Sequence, residues 1–213
     1  KTTRVPLAML DQVEGRILML EPRRLATRAA AERMADMRGE PVGETVGYRT
    51  RLQSRIGPKT RIEVITEGIF TRRIIADPGL EGVAAVLFDE FHERSLDADL
   101  GLALARQTQE LLRPDLKLVV MSATLNVASM VRVLDGPPVI EAEGRAFPVE
   151  TVHLGSTPSE RLEAAVARAV RRALGETGGS VLVFLPGQSE IHRAGRALAE
   201  ASLPANVEVV SLY

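Results

Sequence analysis

Short apolar runs alternate with longer segments of helical periodicity almost from end to end of this 213-residue chain. Runs at 17–20, 62–66, 83–88, 118–122, 149–153, 181–185 and 207–212 predict strands. Several are continuously apolar rather than alternating, the pattern of strands covered on both faces. Between them, segments 24–37, 67–76, 97–112, 159–174 and 189–200 are rich in Ala, Leu, Arg and Glu and predict helices. A βαβ succession of this kind calls for right-handed crossovers and a mostly parallel sheet. Gly136-Pro137-Pro138 and the stretch 141–148 interrupt the pattern, and a fresh helix and strand follow. A second α/β domain is therefore expected to start near there and to remain unfinished. There is no internal repeat and no low-complexity tract.

Composition narrows the picture. The chain is 45% hydrophobic and 26% charged, ordinary for a globular protein and enough for one large domain or two small ones. With 27 basic and 28 acidic side chains the net charge is −1, so no global basic field advertises nucleic acid, and any such binding must come from local clusters. Cysteine is absent, which removes disulfides and thiolate metal sites and fits a reducing compartment. No apolar run approaches the roughly 20 residues that span a bilayer, and the first residues resemble neither a signal nor a transit peptide. A cytoplasmic location is the resulting expectation. Only 3% of residues are aromatic, so platforms for base stacking are scarce.

The most informative run is Val83–Phe88 followed by Asp89-Glu90-Phe91-His92-Glu93-Arg94-Ser95. A buried strand does not hold adjacent carboxylates in its core, so Asp89 and Glu90 belong at its carboxyl end, where open α/β sheets place ligands. That is the geometry of a Walker B site. Its first acid would hold Mg²⁺ through the metal's water shell, and its second would orient or deprotonate the water that attacks a γ-phosphate. A bare Asp-Glu after apolar residues is more often a solvated strand end with a helix-capping aspartate; the following His and Glu-Arg-Ser weigh against that alternative.

Further motifs fall at other strand ends. The chain opens Lys1-Thr2-Thr3 ahead of a helical pattern. Beside a Walker B pair these residues read as the tail of a phosphate loop, with the lysine on the β/γ-phosphates and a threonine hydroxyl on Mg²⁺. Pro22-Arg23-Arg24 puts two guanidinium groups directly after strand 17–20. Such a loop suits phosphates of a nucleic-acid backbone, although a proline stop before a solvated helix start is the plain alternative. Thr66-Glu67-Gly68 ends another strand, where an N-cap threonine is the simple interpretation. Ser122-Ala123-Thr124 places two hydroxyls where they could sense a nucleotide.

These motifs, with Phe184-Leu185-Pro186-Gly187, stand in the order and approximate spacing of the DEAH-box group of superfamily 2 RNA helicases. More narrowly, Asp89-Glu90-Phe91-His92-Glu93-Arg94-Ser95-Leu96, Val46-Gly47-Tyr48-Arg49 and Gly144-Arg145-Ala146-Phe147-Pro148-Val149-Glu150 resemble the bacterial HrpB-type helicases. The resemblance covers essentially the whole chain. It implies an α/β fold of RecA-like, P-loop NTPase type, a parallel sheet with helices on both faces, in residues 1–144, and the start of a second RecA-like domain in 145–213. It also implies ATP bound between two such domains and single-stranded RNA across the top.

On matching positions, the resemblance implies that Lys1, Thr2 and Thr3 belong to the nucleotide site, with Thr2 and Asp89 serving Mg²⁺. Glu90 would act on the attacking water, and His92 would couple nucleotide state to the second domain. Ser122 and Thr124 would link hydrolysis to strand separation, while Arg23, Arg24, Thr66, Gly68 and Gly187 would contact RNA. Arg33 resembles an arginine that stacks on the nucleobase, with a solvated helix arginine as the alternative. Phe91 departs from the alanine in the group's name and leaves both acids untouched.

Two parts of the family pattern are missing from the chain, the glycine-rich cradle before Lys1 and the Gln-x-x-Gly-Arg-x-Gly-Arg segment with its arginine fingers. The expectation is a helicase fragment, inactive by itself, within an ATP-dependent RNA helicase. A non-catalytic nucleotide- or RNA-binding module is the rival class.

Overall fold

The computed structural model describes residues 1–123, 127–142, 147–155, 159–201 and 203–212. They form two compact units, Lys1–Glu141 and Ala142–Tyr213. Residues 143–146, where the expected domain boundary at 144/145 falls, lie outside the described residues.

Unit 1 is a six-stranded sheet. Its strands are β1 Arg16–Glu21, β2 Val46–Arg49, β3 Ser54–Arg55, β4 Ile62–Thr66, β5 Val83–Phe88 and β6 Lys117–Val120. The order is β3-β2-β4-β1-β5-β6, parallel throughout except for the antiparallel hairpin that adds β3 at the edge. β1 is central because its four residues Ile17–Leu20 are wholly apolar and essentially inaccessible, which only a strand covered on both faces can be. The chain moves from β1 to one side for β2 and β4 and then to the other for β5 and β6. This reversal around β1 is the kind of switch point where α/β sheets open a ligand crevice at their carboxyl edge.

Period-two alternation along the strands sorts the apolar side chains onto two faces. Ile17, Met19, Ile62, Val64 and Leu87 pack with helix α2 (Arg24–Arg38), and residues of the short helix α1 (Arg4–Met9) join them. Leu18, Leu20, Ile65, Val86 and Phe88 pack on the opposite face under α3 (Glu67–Ala76) and α4 (Leu96–Leu111). Phe70, Phe88 and Phe91 form a chain of edge-to-face contacts with centroids 5.7 and 6.1 Å apart, so the strand before the acids is anchored by aromatic packing. Truncating Phe88 to Ala would cost about 3–5 kcal/mol. Gly39 closes α2 in the left-handed region at φ 69°, with the N–H of Glu40 bonded to Ala35 O at 3.1 Å. Gly47 is required for the hairpin, since a Cβ there would stand 2.4 Å from Arg55 O.

α5 (Val127–Val133) follows β6, and unit 2 contains α6 (Leu162–Glu176) and α7 (Gln188–Glu200). Ala167, Val170 and Leu198 form the small core between those two helices. The strands expected at 149–153, 181–185 and 207–212 are a correction: the described residues there form no ladder. An apolar run becomes a strand only by pairing its backbone with a neighbour. These runs stay exposed instead, with Val149 at 87% and Phe184 at 88%.

Candidate functional site at the carboxyl edge of the sheet

Strand register brings the motifs together. Glu21 pairs with Thr66 and Leu20 with Phe88, so β1, β4 and β5 end at one level. Backbone bonds extend the alignment past the strands: Asp89 N–H donates to Leu20 O at 3.1 Å, Met121 N–H to Phe88 O at 2.8 Å and Phe91 N–H to Met121 O at 3.1 Å. The residues after four parallel strands therefore share one edge.

At its centre is Asp89, 4% exposed. Its Oδ1 accepts the Glu90 N–H at 2.9 Å, while Oδ2 is buried without a hydrogen-bond partner. Glu90 adopts the left-handed region at φ 47°, ψ 35°, a conformation that costs a non-glycine residue on the order of 1–3 kcal/mol and concentrates at functional sites. It turns the chain sharply into the 3-10 turn Phe91–Glu93, which drops Phe91 into the core and leaves the Glu90 carboxylate about half-exposed. His92 Nδ1 lies 3.3 Å from Glu90 Oε2, within ion-pair range but not aligned as a hydrogen bond.

Glu21, the last residue of β1, belongs to the same cluster although the motif pattern does not single it out. It is 2% exposed, and its Oε1 also lacks a partner. Burial, reinforced by the facing Asp89 carboxyl, pushes its pKa up to about 8. The signal was in the sequence, for Glu21 ends an apolar strand just as Asp89 does.

Lys1 reaches this edge from the start of α1, its Nζ donating to Ser122 O at 2.7 Å just beyond β6. Thr2 and Thr3 are half-buried beside it, and Thr3 caps α1 without a side-chain bond. Ser122 is half-buried, and Thr124 lies outside the described residues.

Arg23 and Arg24 are exposed immediately after β1. Arg23 grips the Glu93 carboxylate through Nε and Nη2 at 3.1–3.3 Å. Thr66 is the extended N-cap residue of α3, with no side-chain cap bond. At Gly68 a Cβ would meet Asp97 Oδ2 at 3.2 Å. Ser95 caps α4 by accepting the Ala98 N–H at 2.9 Å and donates its hydroxyl to Glu67, whose carboxyl burial holds above its usual range. Arg33 is exposed well along α2, and no described contact ties it to the acids. Gly187 is the N-cap of α7 in unit 2.

No group of three or more His, Cys, Asp or Glu able to hold a metal occurs among the described residues. The unpartnered Asp89 Oδ2 nevertheless fits a hard cation of the Mg²⁺ kind, which takes one or two carboxylates and completes its octahedron with water and phosphate oxygens. No helix of the described residues is long and apolar enough to cross a membrane.

No protein-family model matches the chain. Individual proteins do. Over its full length the chain is 48% identical to the ATP-dependent RNA helicase HrpB of Escherichia coli and covers 26% of that protein. It is 32% identical over 91% of its length to the probable ATP-dependent RNA helicase DHR2 of Saccharomyces cerevisiae, covering 27% of it. Its likeness to the HrpA homologue of Haemophilus influenzae is 32% over the full chain and 17% of that protein. The crystal structure of the E. coli DEAH/RHA helicase HrpB superposes with a TM-score of 0.87 over 94% of the chain at 50% identity, covering 26% of that structure. A second, of the E. coli DExH-box NTPase HrpB, gives 0.76 over 97% of the chain and 27% of that structure at 46% identity. The chain thus spans about a quarter of the length of these HrpB relatives. Sequence and fold agree on one group, and along its whole length this chain is homologous to a stretch of the HrpB-type DEAH helicases.

Proposed function

We propose that this chain carries the nucleotide-hydrolysing centre of an ATP-dependent RNA helicase, in which hydrolysis drives movement along RNA. One observation carries the proposal: Lys1, far in sequence from the adjacent acids Asp89 and Glu90, shares with them one carboxyl edge of a RecA-like sheet, its Nζ on Ser122 O at 2.7 Å. The names of the relatives support the same activity.

In this proposal residues 1–144 form the first RecA-like domain and 145–213 the beginning of a second. Lys1 exchanges its carbonyl partner for β/γ-phosphate oxygens, a change from a neutral acceptor to a charged one that strengthens the bond. Thr2 and Asp89 hold Mg²⁺, whose role when bound is to neutralise charge on the phosphates. Glu90 orients the attacking water and accepts its proton, and the turn at φ 47° holds its carboxylate clear of the core for that purpose. His92, near Glu90, couples the nucleotide state to the second domain, and Ser122 and Thr124 link hydrolysis to strand separation. Arg33 stacks on the base of the bound nucleotide. Arg23, Arg24, Thr66 and Gly68 hold phosphates of a single RNA strand along the carboxyl edge, and Gly187, in the second domain, is a further RNA contact. The location would be cytoplasmic, in keeping with the absence of cysteine.

The test is RNA-stimulated ATP hydrolysis by the full-length protein. Stimulation that Glu90→Gln abolishes while ATP still binds is the expected result; turnover indifferent to RNA, or to that substitution, would refute the proposal.

A further inference from the structure

Glu63, the second residue of β4, has no exposed surface. A buried carboxylate must be paired, with donors on both of its oxygens. Glu63 has three: Arg49 Nε donates to Oε1 at 2.9 Å, Arg73 Nη1 donates to Oε2 at 3.1 Å, and Arg16 Nη1 stands 3.5 Å from Oε2. They come from β2, α3 and β1. Arg72, a fourth, donates Nε to Gly68 O at 3.0 Å. These side chains and Ile69 line a pocket of about 440 Å³ on the α3 face of the sheet.

Four guanidinium groups against one carboxylate leave an excess of three positive charges in one concavity. Such convergence makes the concavity locally positive, a field that an anion from outside would offset. The donors are also of the right kind, because Glu63 engages a single nitrogen of each of Arg49 and Arg73, and the rest of each planar fork remains for bidentate contact. The side chains of Arg16, Arg49 and Arg73 are 37%, 48% and 25% exposed, so their charged ends are held by the network yet open to solvent. Its β1 residue, Arg16, opens that strand at the end opposite Glu21 and the acids, so the pocket is distinct from the nucleotide centre.

We propose that Arg16, Arg49, Arg72 and Arg73 form a second anion site, which takes a phosphate group with Glu63 as its internal counter-charge. The phosphate belongs either to a nucleic-acid strand, brought close by the Arg72 bond to Gly68 at the carboxyl edge, or to a free polyphosphate. The strand alternative rests on the proposed function, whereas the site itself does not.

The experiment uses the full-length protein saturated with a non-hydrolysable ATP analogue and Mg²⁺, so that the strand-end site is filled. Inorganic tripolyphosphate and a homopolymeric single-stranded RNA are titrated separately into wild type, Arg72→Gln, Arg49→Gln and Glu63→Gln. Each arginine variant should weaken binding roughly tenfold, the loss of a charge-assisted hydrogen bond. Glu63→Gln should tighten it by freeing the guanidinium groups. Weakening for both ligands assigns the site to a strand, and weakening for tripolyphosphate alone assigns it to a free polyphosphate. Arg72 does not touch Glu63, so its variant keeps the buried network intact and gives a result even where Glu63→Gln fails to fold. Unaltered affinity for both ligands in Arg72→Gln and Arg49→Gln overturns the proposal. Wild type that binds tripolyphosphate but no RNA refutes the helicase function and leaves the anion site standing.

Discussion

Arg23 and Glu93 clasp each other across the ends of β1 and β5, the guanidinium of one motif holding the carboxylate of another at 3.1–3.3 Å. An arginine expected on an RNA phosphate is thus occupied by an internal acid that competes with it. The pair is exposed, 73% and 36%, so it contributes little to stability and gives way readily to a stronger anion. Glu93→Gln should therefore tighten RNA binding by the full-length protein, by up to about fivefold, and shift unfolding by no more than about 0.5 kcal/mol. Fluorescence anisotropy with labelled RNA and a denaturant titration measure the two quantities.

Replacing Arg23 and Arg24 by alanine should weaken binding about equally for unrelated RNA sequences, because phosphate contacts carry no base information. The slope of log K against log salt should flatten by about 0.7 for each phosphate that a removed arginine had neutralised. ATP affinity should stay unchanged. Unaltered RNA affinity and slope would make both arginines a solvated helix start.

The first unit was legible in the sequence because its signals are local. Continuous apolar runs mark β1 and β5, a run broken only by Glu63 marks β4, and an acid at the end of such a run, as at Asp89, marks the carboxyl edge. β2 and β3 were not legible, since four residues with a glycine and two polar residues become strands only by pairing across the sheet. Glu63 shows the same limit, for a charge inside an apolar strand is tolerated only because three arginines from separate elements reach it. The runs near Val149, Val181 and Val207 had strand composition, yet nothing local supplies the neighbouring backbone a strand requires.

Ser95 joins two loops of the site by capping α4 and donating to the half-buried Glu67. Ser95→Ala removes the cap and leaves that carboxyl without its donor, and should destabilise the protein by about 1–2 kcal/mol. Ser95→Thr retains the hydroxyl and should restore most of the loss in a thermal denaturation series.

Glu90→Gln and Asp89→Asn should separate two roles in the full-length protein. The Gln side chain keeps the shape at position 90 but accepts no proton, so ATP should bind with near-normal affinity and turn over at least about a hundredfold more slowly. Asp89→Asn removes the charge beside the unpartnered Oδ2 and should instead raise the Mg²⁺ concentration needed for half-maximal nucleotide binding. Equilibrium binding at varied Mg²⁺, set beside single-turnover hydrolysis, distinguishes these patterns.

Glu21 predicts a pH dependence with a definite sign. Its pKa rises from 4.5 to about 8 in the folded protein, chiefly through burial and then through Asp89. Between those values the native state holds a proton that the unfolded state has released. Stability should therefore be greatest toward the acid end of that window and fall as pH rises through it, by an amount on the order of a few kcal/mol. Glu21→Gln is neutral at every pH, so it should flatten this part of the profile and leave the variant the more stable protein near the alkaline end. Urea denaturation in a chelator, from about pH 5 to about pH 8.5, reads both effects. Parallel profiles for wild type and Glu21→Gln would show that Glu21 titrates as an ordinary exposed carboxyl and carries no buried proton beside Asp89.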